Sequence, residues 1–150
     1  MLDLGCGTGE AVARLWDRFE LAVGVDVSGE AVRFARARLG DREGAVVVRA
    51  DARRLPFRDG AFDCGLALDV LEHFDQPGPV LKELGRVLWD QVVVTVPNWP
   101  DRNPEHRSFH TSWGWRRLLR RWGFAVRMCR LVRRWMGLVG MCRMLEGVRV

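Results

Sequence analysis

Along the first hundred residues, short apolar runs alternate with stretches whose apolar positions recur every three or four residues. Residues 1–4, 21–26, 45–50, 61–68 and 92–96 are Val-, Leu- and Ala-rich runs of strand length, the pattern of strands covered on both faces. Between the first two, Ala11, Val12, Leu15, Trp16 and Phe19 keep helical spacing from about residue 10. Val32, Ala35 and Leu39 do the same for a helix ending at Leu39, with Phe34 at its margin and Ser28 placed as its N-cap. A third helix is predicted over 80–88, opened by Pro77, Gly78 and Pro79 and turning Val80, Leu84 and Leu88 inward. Thr111 or Ser112 can cap a fourth over 113–122, which Gly123 stops. Two further apolar runs, 124–131 and 138–145, read as closing strands. Strands alternating with helices predict a doubly wound, mostly parallel α/β sheet.

The first strand runs straight into a loop with glycine at positions 5, 7 and 9, and a helix starts at about Glu10. Backbone without Cβ atoms can come within contact distance of a ligand, and the helix amides face the same loop. The spacing departs from the dinucleotide pattern G-x-G-x-x-G: the third glycine comes one place early, and Glu10 stands where glycine is wanted. A carboxylate at a helix N-terminus suits the helix dipole but repels a pyrophosphate. Thr8 and Glu10 therefore fit a ligand that carries an ammonium and no phosphate; a plain structural turn is the other reading. Asp26 ends the second strand about twenty residues past the glycines, where an acid can take two ribose hydroxyls. Asp51 ends the third strand, and Asp69, Glu72 and His73 follow the fourth. Simple capping of the neighbouring helices is the alternative for Asp26 and Asp51.

Taken together, LDLGCGTG at 2–9, VGVDVS at 23–28, ADARRLPF at 50–57, Phe62 with Asp63, LEH at 71–73, RVL at 86–88 and VPN at 96–98 resemble the class I methyltransferases that use S-adenosylmethionine. The likeness is to the small-molecule type that includes the quinone-biosynthesis enzymes, and it runs over residues 1–125. It implies a seven-stranded sheet in the order 3-2-1-4-5-7-6 with one antiparallel strand near the edge. It also implies that Asp3, Gly5, Cys6, Gly7, Thr8 and Gly9 hold the methionine moiety, with Asp3 near its ammonium. Asp26 would accept both ribose hydroxyls and Val27 would pack on the adenine. Asp51 would take the adenine amino group, and Ala52 would donate its backbone amide to a ring nitrogen. Leu68 and Asp69 would line the methyl-donor end, while Asp63 reads as a structural acid.

Two departures from the resemblance stand out. The family carries one or two helices ahead of the first strand, and these close over the cofactor; here the strand begins at Met1. A misassigned start, a covering partner subunit or an open cleft would each account for that. Relatives also turn into strand five through Pro-Gly-Gly, where this chain has Trp89, Asp90 and Gln91, implying a tighter connection.

At 150 residues the chain supports one core, a single domain over 1–150. No apolar run reaches the length of a membrane span, and no cationic start leads into an apolar signal segment. Cys6, Cys64, Cys129 and Cys142 lie singly, which reads as reduced thiols in a cytoplasmic protein rather than as a metal or disulfide framework. Charge is uneven: residues 1–101 hold 12 basic and 17 acidic side chains, whereas 102–150 hold 12 arginines against Glu105 and Glu146. Arg116, Arg117, Arg120, Arg121, Arg127, Arg130, Arg133 and Arg134 interleave with Trp113, Trp115, Trp122 and Trp135, a footprint compatible with nucleic acid or an anionic surface. Against that, Lys82 stands alone beside 23 arginines, so arginine is this chain's general habit, and arginine stems often cover tryptophan.

Methyl transfer from a sulfonium asks the protein chiefly for orientation and exclusion of water. A base is needed only where the acceptor has a proton to lose, and His73 at the mouth of strand four is the candidate, with Glu72 able to orient it or to bind a substrate cation; a structural pair that caps the following turn, as in relatives, is the other reading. His106 and His110, with Asn98, Trp99, Arg102 and Arg107, lie on the loop after strand five. Pro104 and the want of a third ligand at metal spacing argue against a His106–His110 metal pair, so no metal is expected. The leading expectation is a methyltransferase acting on O, N or C of a small molecule. An accessory fold without catalysis, or a nucleic-acid methyltransferase using the Arg/Trp-rich third, remain as alternatives; Glu10 disfavours an NAD oxidoreductase. An uncovered cleft and exposed tryptophans are compatible with a homodimer.

Overall fold

The computed structural model describes residues 1–97, 103–132 and 137–144, those from 127 onward by their backbone alone. Seven strands form one sheet: β1 (Leu2–Leu4), β2 (Ala22–Asp26), β3 (Ala45–Arg49), β4 (Phe62–Leu68), β5 (Leu88–Pro97), β6 (Phe124–Val132) and β7 (Gly137–Met144). Their order is β3-β2-β1-β4-β5-β7-β6, as the resemblance implied. β1 lies parallel between β2 and β4, with Leu2 opposite Val23 on one side and Gly65 on the other. β7 alone runs antiparallel, to both β5 and β6.

Four helices, α1 (Glu10–Leu15), α2 (Gly29–Leu39), α3 (Gly78–Val87) and α4 (Ser112–Arg121), cover the sheet. Because side chains alternate along a strand, the core divides in two. Leu2, Leu4, Val23 and Val25 join Val80, Leu81, Leu84, Trp115 and Leu119 of α3 and α4. Met1, Ala22 and Val47 instead meet Val12, Val32, Ala35 and Leu39 of α1 and α2. Ser28 caps α2 by accepting from the Ala31 amide, and Thr111 caps α4 by accepting from that of Gly114.

Three boundaries differ from the sequence reading. The α-helix begun at Glu10 ends at Leu15, and a 3-10 turn, Trp16–Arg18, carries the remaining apolar positions. No turn separates α3 from β5: Leu88 caps the helix in extended conformation and begins the strand. Trp89, Asp90 and Gln91 are thus strand residues, with a register shift against Phe62 and Cys64 absorbing the extra length. The exposed Trp89 donates its indole N–H to Asp63 (2.8 Å), which makes Asp63 the structural acid it was read to be. The third boundary concerns Trp115, placed by sequence in the Arg/Trp stripe. It is fully buried and donates to the Pro97 carbonyl (3.1 Å), because the α4 face that carries it closes the core.

Arg86 ties the loop after β3 to α3. Its guanidinium donates to the carbonyls of Leu55 (3.0 Å) and Phe57 (2.7 Å), to Asp59 (2.9 Å) and to Glu83 (2.8 Å), while Glu83 accepts the Leu55 amide (2.7 Å). The pairing holds the Glu83 carboxyl below its ordinary range. Arg86→Met should cost about 1–3 kcal/mol, since Glu83 and two carbonyls lose their donor together. A lowered urea midpoint at unchanged slope is the expected readout.

Candidate functional site

The strand order reverses at β1, which is bordered by β2 and β4; in open α/β sheets this is where ligands bind, at the carboxyl ends of the strands. A cleft of about 590 Å³ opens there. Gly5, Asp26, Val27, Asp51, Ala52, Asp69 and His73 of the sequence-predicted set line it. Val70, Phe74, Arg53 and Glu105 complete its walls without having been singled out.

Asp26 organises the floor. Its Oδ2 accepts the Gly7 amide (2.9 Å) and its Oδ1 the Ser28 amide (2.8 Å), joining the glycine loop to the start of α2. Gly9 has φ 76° as N-cap of α1, and a Cβ there would lie 2.9 Å from that of Ala35, so this glycine lets α1 and α2 close up. Gly7 also has a left-handed φ, but a Cβ there would meet nothing within 4 Å. The space beside Gly7 is therefore open to a ligand.

Two further acids are held by their neighbours. Arg53 grips Asp51 through Nε and Nη2 (3.0 and 2.6 Å), and its backbone amide adds a third bond (2.8 Å), which together hold the Asp51 carboxyl below its ordinary range. Asp69 adopts φ 54°, a left-handed conformation rare outside glycine. Thr95 on β5 secures it, accepting the Asp69 amide on its hydroxyl (2.8 Å) and donating that hydroxyl to Oδ1 (2.8 Å). Thr95 carried no sequence signal, because its contact exists only once β4 and β5 pair. Val27 is 65% exposed, an apolar platform on the cleft wall.

Asp3 lies behind this wall, 3% exposed. Burial, reinforced by the Asp26 charge, pushes its carboxyl up to about 7. The same burial, with Asp3 and Asp26 adding to it, pushes the Cys6 thiol up to about 12. Cys6, Gly7, Thr8, Gly9 and Leu68 do not line the cleft; Thr8 is exposed, and its carbonyl accepts from Arg38 (2.9 Å).

His73 ends a 3-10 turn, Leu71–His73, after β4. Its Nδ1 donates to the Glu105 carbonyl (3.2 Å), which leaves Nε2 as the basic nitrogen. Glu72 is fully buried, and its carbonyl accepts the amides of Arg107 (2.7 Å) and Ser108 (3.0 Å). Those bonds bring His106 edge-on to His73, ring centroids 5.0 Å apart, while His110 packs on Trp115. Of the expected stripe, Trp113 is exposed under Arg117 (5.5 Å) and Trp122 packs on Gly78. Asn98, Trp99, Arg102, Arg133, Arg134 and Trp135 lie outside the described residues. Among the described residues, no helix is long and apolar enough to cross a membrane.

The raised Asp3 carboxyl has a definite pH signature. Its neutral form is favoured in the fold, so its contribution is complete below about pH 4 and is lost as pH rises towards 7. Asp3→Asn should therefore leave thermal stability near that of the parent at pH 4 and raise it at pH 8. A stability difference between parent and variant that is the same at pH 4 and pH 8 would contradict the assignment.

Residues 2–94 match the protein family described as a methyltransferase domain. Among relatives, the malonyl-[acyl-carrier protein] O-methyltransferase of Legionella pneumophila is 37% identical over 91 residues, covering 59% of this chain and 32% of that protein. The 27-O-demethylrifamycin SV methyltransferase of Amycolatopsis mediterranei is 37% identical over 92 residues, covering 59% of this chain and 34% of its own. The chain thus spans about a third of the length of these curated relatives. A SAM-dependent methyltransferase from Methanosarcina mazei superposes with a TM-score of 0.79 at 21% identity, over 96% of this chain and 91% of that one. Matched family, strand order and cleft agree: the chain belongs to the class I S-adenosylmethionine-dependent methyltransferases.

Proposed function

We propose that this domain binds S-adenosylmethionine in the cleft at the ends of β1, β2 and β4 and passes its methyl group to a small-molecule acceptor. The acidic character of the cleft carries this reading. Asp26, Asp51 and Asp69 line it and Asp3 lies behind it, with Arg53 already committed to Asp51. Such a site repels a pyrophosphate and suits a ligand bearing an ammonium and a sulfonium. The open space beside Gly7 admits close approach of a ligand to the backbone.

In this reading Asp26 accepts the ribose hydroxyls while keeping its two amide bonds, since each carboxylate oxygen has a second lone pair. Val27 takes one face of the adenine, Asp51 its amino group, and the Ala52 amide a ring nitrogen. Asp3, the glycine loop (Gly5, Cys6, Gly7, Thr8, Gly9), Leu68 and Asp69 surround the methionine portion and the donor end. The cofactor supplies a methyl group on an already good leaving group. The protein supplies alignment: Thr95 fixes Asp69, and Val70 and Phe74 close the wall against water. His73, through Nε2, takes a proton from an acceptor that has one to lose. The names of the two relatives above support an oxygen acceptor ahead of nitrogen or carbon.

Calorimetric titration with S-adenosylmethionine should show binding, and titration with NAD none. Asp26→Ala should lose a charge-assisted hydrogen bond of about 1.5–3 kcal/mol, roughly ten- to a hundredfold in affinity. A folded Asp26→Ala protein that binds S-adenosylmethionine as the parent does would overturn the assignment.

A further inference from the structure

We propose that Glu72, His73 and His106 form a binding site for one divalent transition-metal ion at the edge of the cleft. One donor atom from each lies within 4.8 Å of the others. A triangle of that size has its centre about 2.8 Å from each corner, so bonds of about 2.1 Å need each donor to move inward by about 0.7 Å. Side-chain rotation covers that distance without backbone change.

Two separate segments build the cluster, and the backbone holds them in register. The Glu72 carbonyl takes both the Arg107 and Ser108 amides, and the Ser108 hydroxyl donates to the Leu71 carbonyl (3.3 Å). Residue 106 is thereby held against the 3-10 turn that carries Glu72 and His73. The two imidazoles meet at 82°, edge to face rather than stacked. His73 has the outer contact usual for a ligating imidazole: one ring N–H is given to a backbone carbonyl, which fixes the tautomer and leaves the other nitrogen as donor.

The donor set selects the kind of ion. Two imidazoles and one carboxylate suit zinc or ferrous iron rather than magnesium or calcium, which prefer all-oxygen shells. Glu72 is fully buried, and a buried carboxylate gains most from a cation beside it. His73 also borders the cleft, so an ion held here lies beside the place where an acceptor would enter. With the ion bound, His73 is a ligand and no longer a base.

Cobalt(II) is the probe, because its visible absorption reports the donor set directly. The full chain, stripped with chelator, should develop visible bands that saturate at one equivalent. His106→Ala and Glu72→Gln should each weaken binding at least tenfold, while His110→Ala, whose ring packs on Trp115, should leave it unchanged. His106→Ala decides the matter if Glu72→Gln fails to fold. Absent bands, or the same titration in His106→Ala, would overturn the site and leave a carboxylate–imidazole pair. The readout needs no S-adenosylmethionine, so it can fail while the cofactor assignment stands, and the reverse.

Discussion

The carboxylate of Asp26 is the contact on which the site's geometry depends. It sits at the end of β2 yet bonds the amide of Gly7, at the end of β1, and that of Ser28, at the start of α2. One side chain therefore fixes the glycine loop against the neighbouring strand and sets where α2 begins. The loop can lie this way because Gly9 allows α1 to approach Ala35 of α2. Were either the acid or the glycine changed, the loop would lose its anchor or its clearance, and the open space beside Gly7 would change shape.

Around that anchor the protein gathers negative charge at a price in apo stability. Burial of Asp3, reinforced by the Asp26 charge, pushes its carboxyl up to about 7, near the point where a proton and a ligand cation compete for it. Asp51 shows the opposite solution: it is half-buried at the cleft wall, and Arg53 holds its carboxyl below the ordinary range. Asp69 is held by Thr95 in a backbone conformation that few residues adopt. Strain and unfavourable burial thus collect at one end of the sheet, while the two cores beneath are apolar. That division is expected where a rigid scaffold supports a functional cleft.

The loop after β5 adds the remaining wall. Its backbone is fastened to the 3-10 turn at Leu71–His73 through the carbonyl of Glu72, and the His73 ring is tied to the Glu105 carbonyl. In the basic third of the chain, the described tryptophans of α4 divide between core and surface. Within α4, Trp115 belongs to the core, and Trp113 is capped by Arg117 on the surface.

The strand order followed from the family resemblance; the sequence by itself determined the alternation of strands with helices and the acids that line the cleft. Those features rest on local period and on acids placed at strand ends, such as Asp26 and Asp51, whose positions follow from chain direction alone. It also determined the cap at Ser28, which bonds an amide three residues away, and narrowed that of α4 to Thr111 or Ser112, of which the structure selects Thr111. Only the tertiary structure decided which helix face closes the core, and so moved Trp115 inside. It decided that residues 88–91 are strand, because pairing with β4 outweighs a turn. It alone brought Thr95 to Asp69 and His106 to Glu72 and His73, since those contacts join residues 26 to 34 positions apart. Local pattern records what a residue does within its own element; which elements meet is settled by packing.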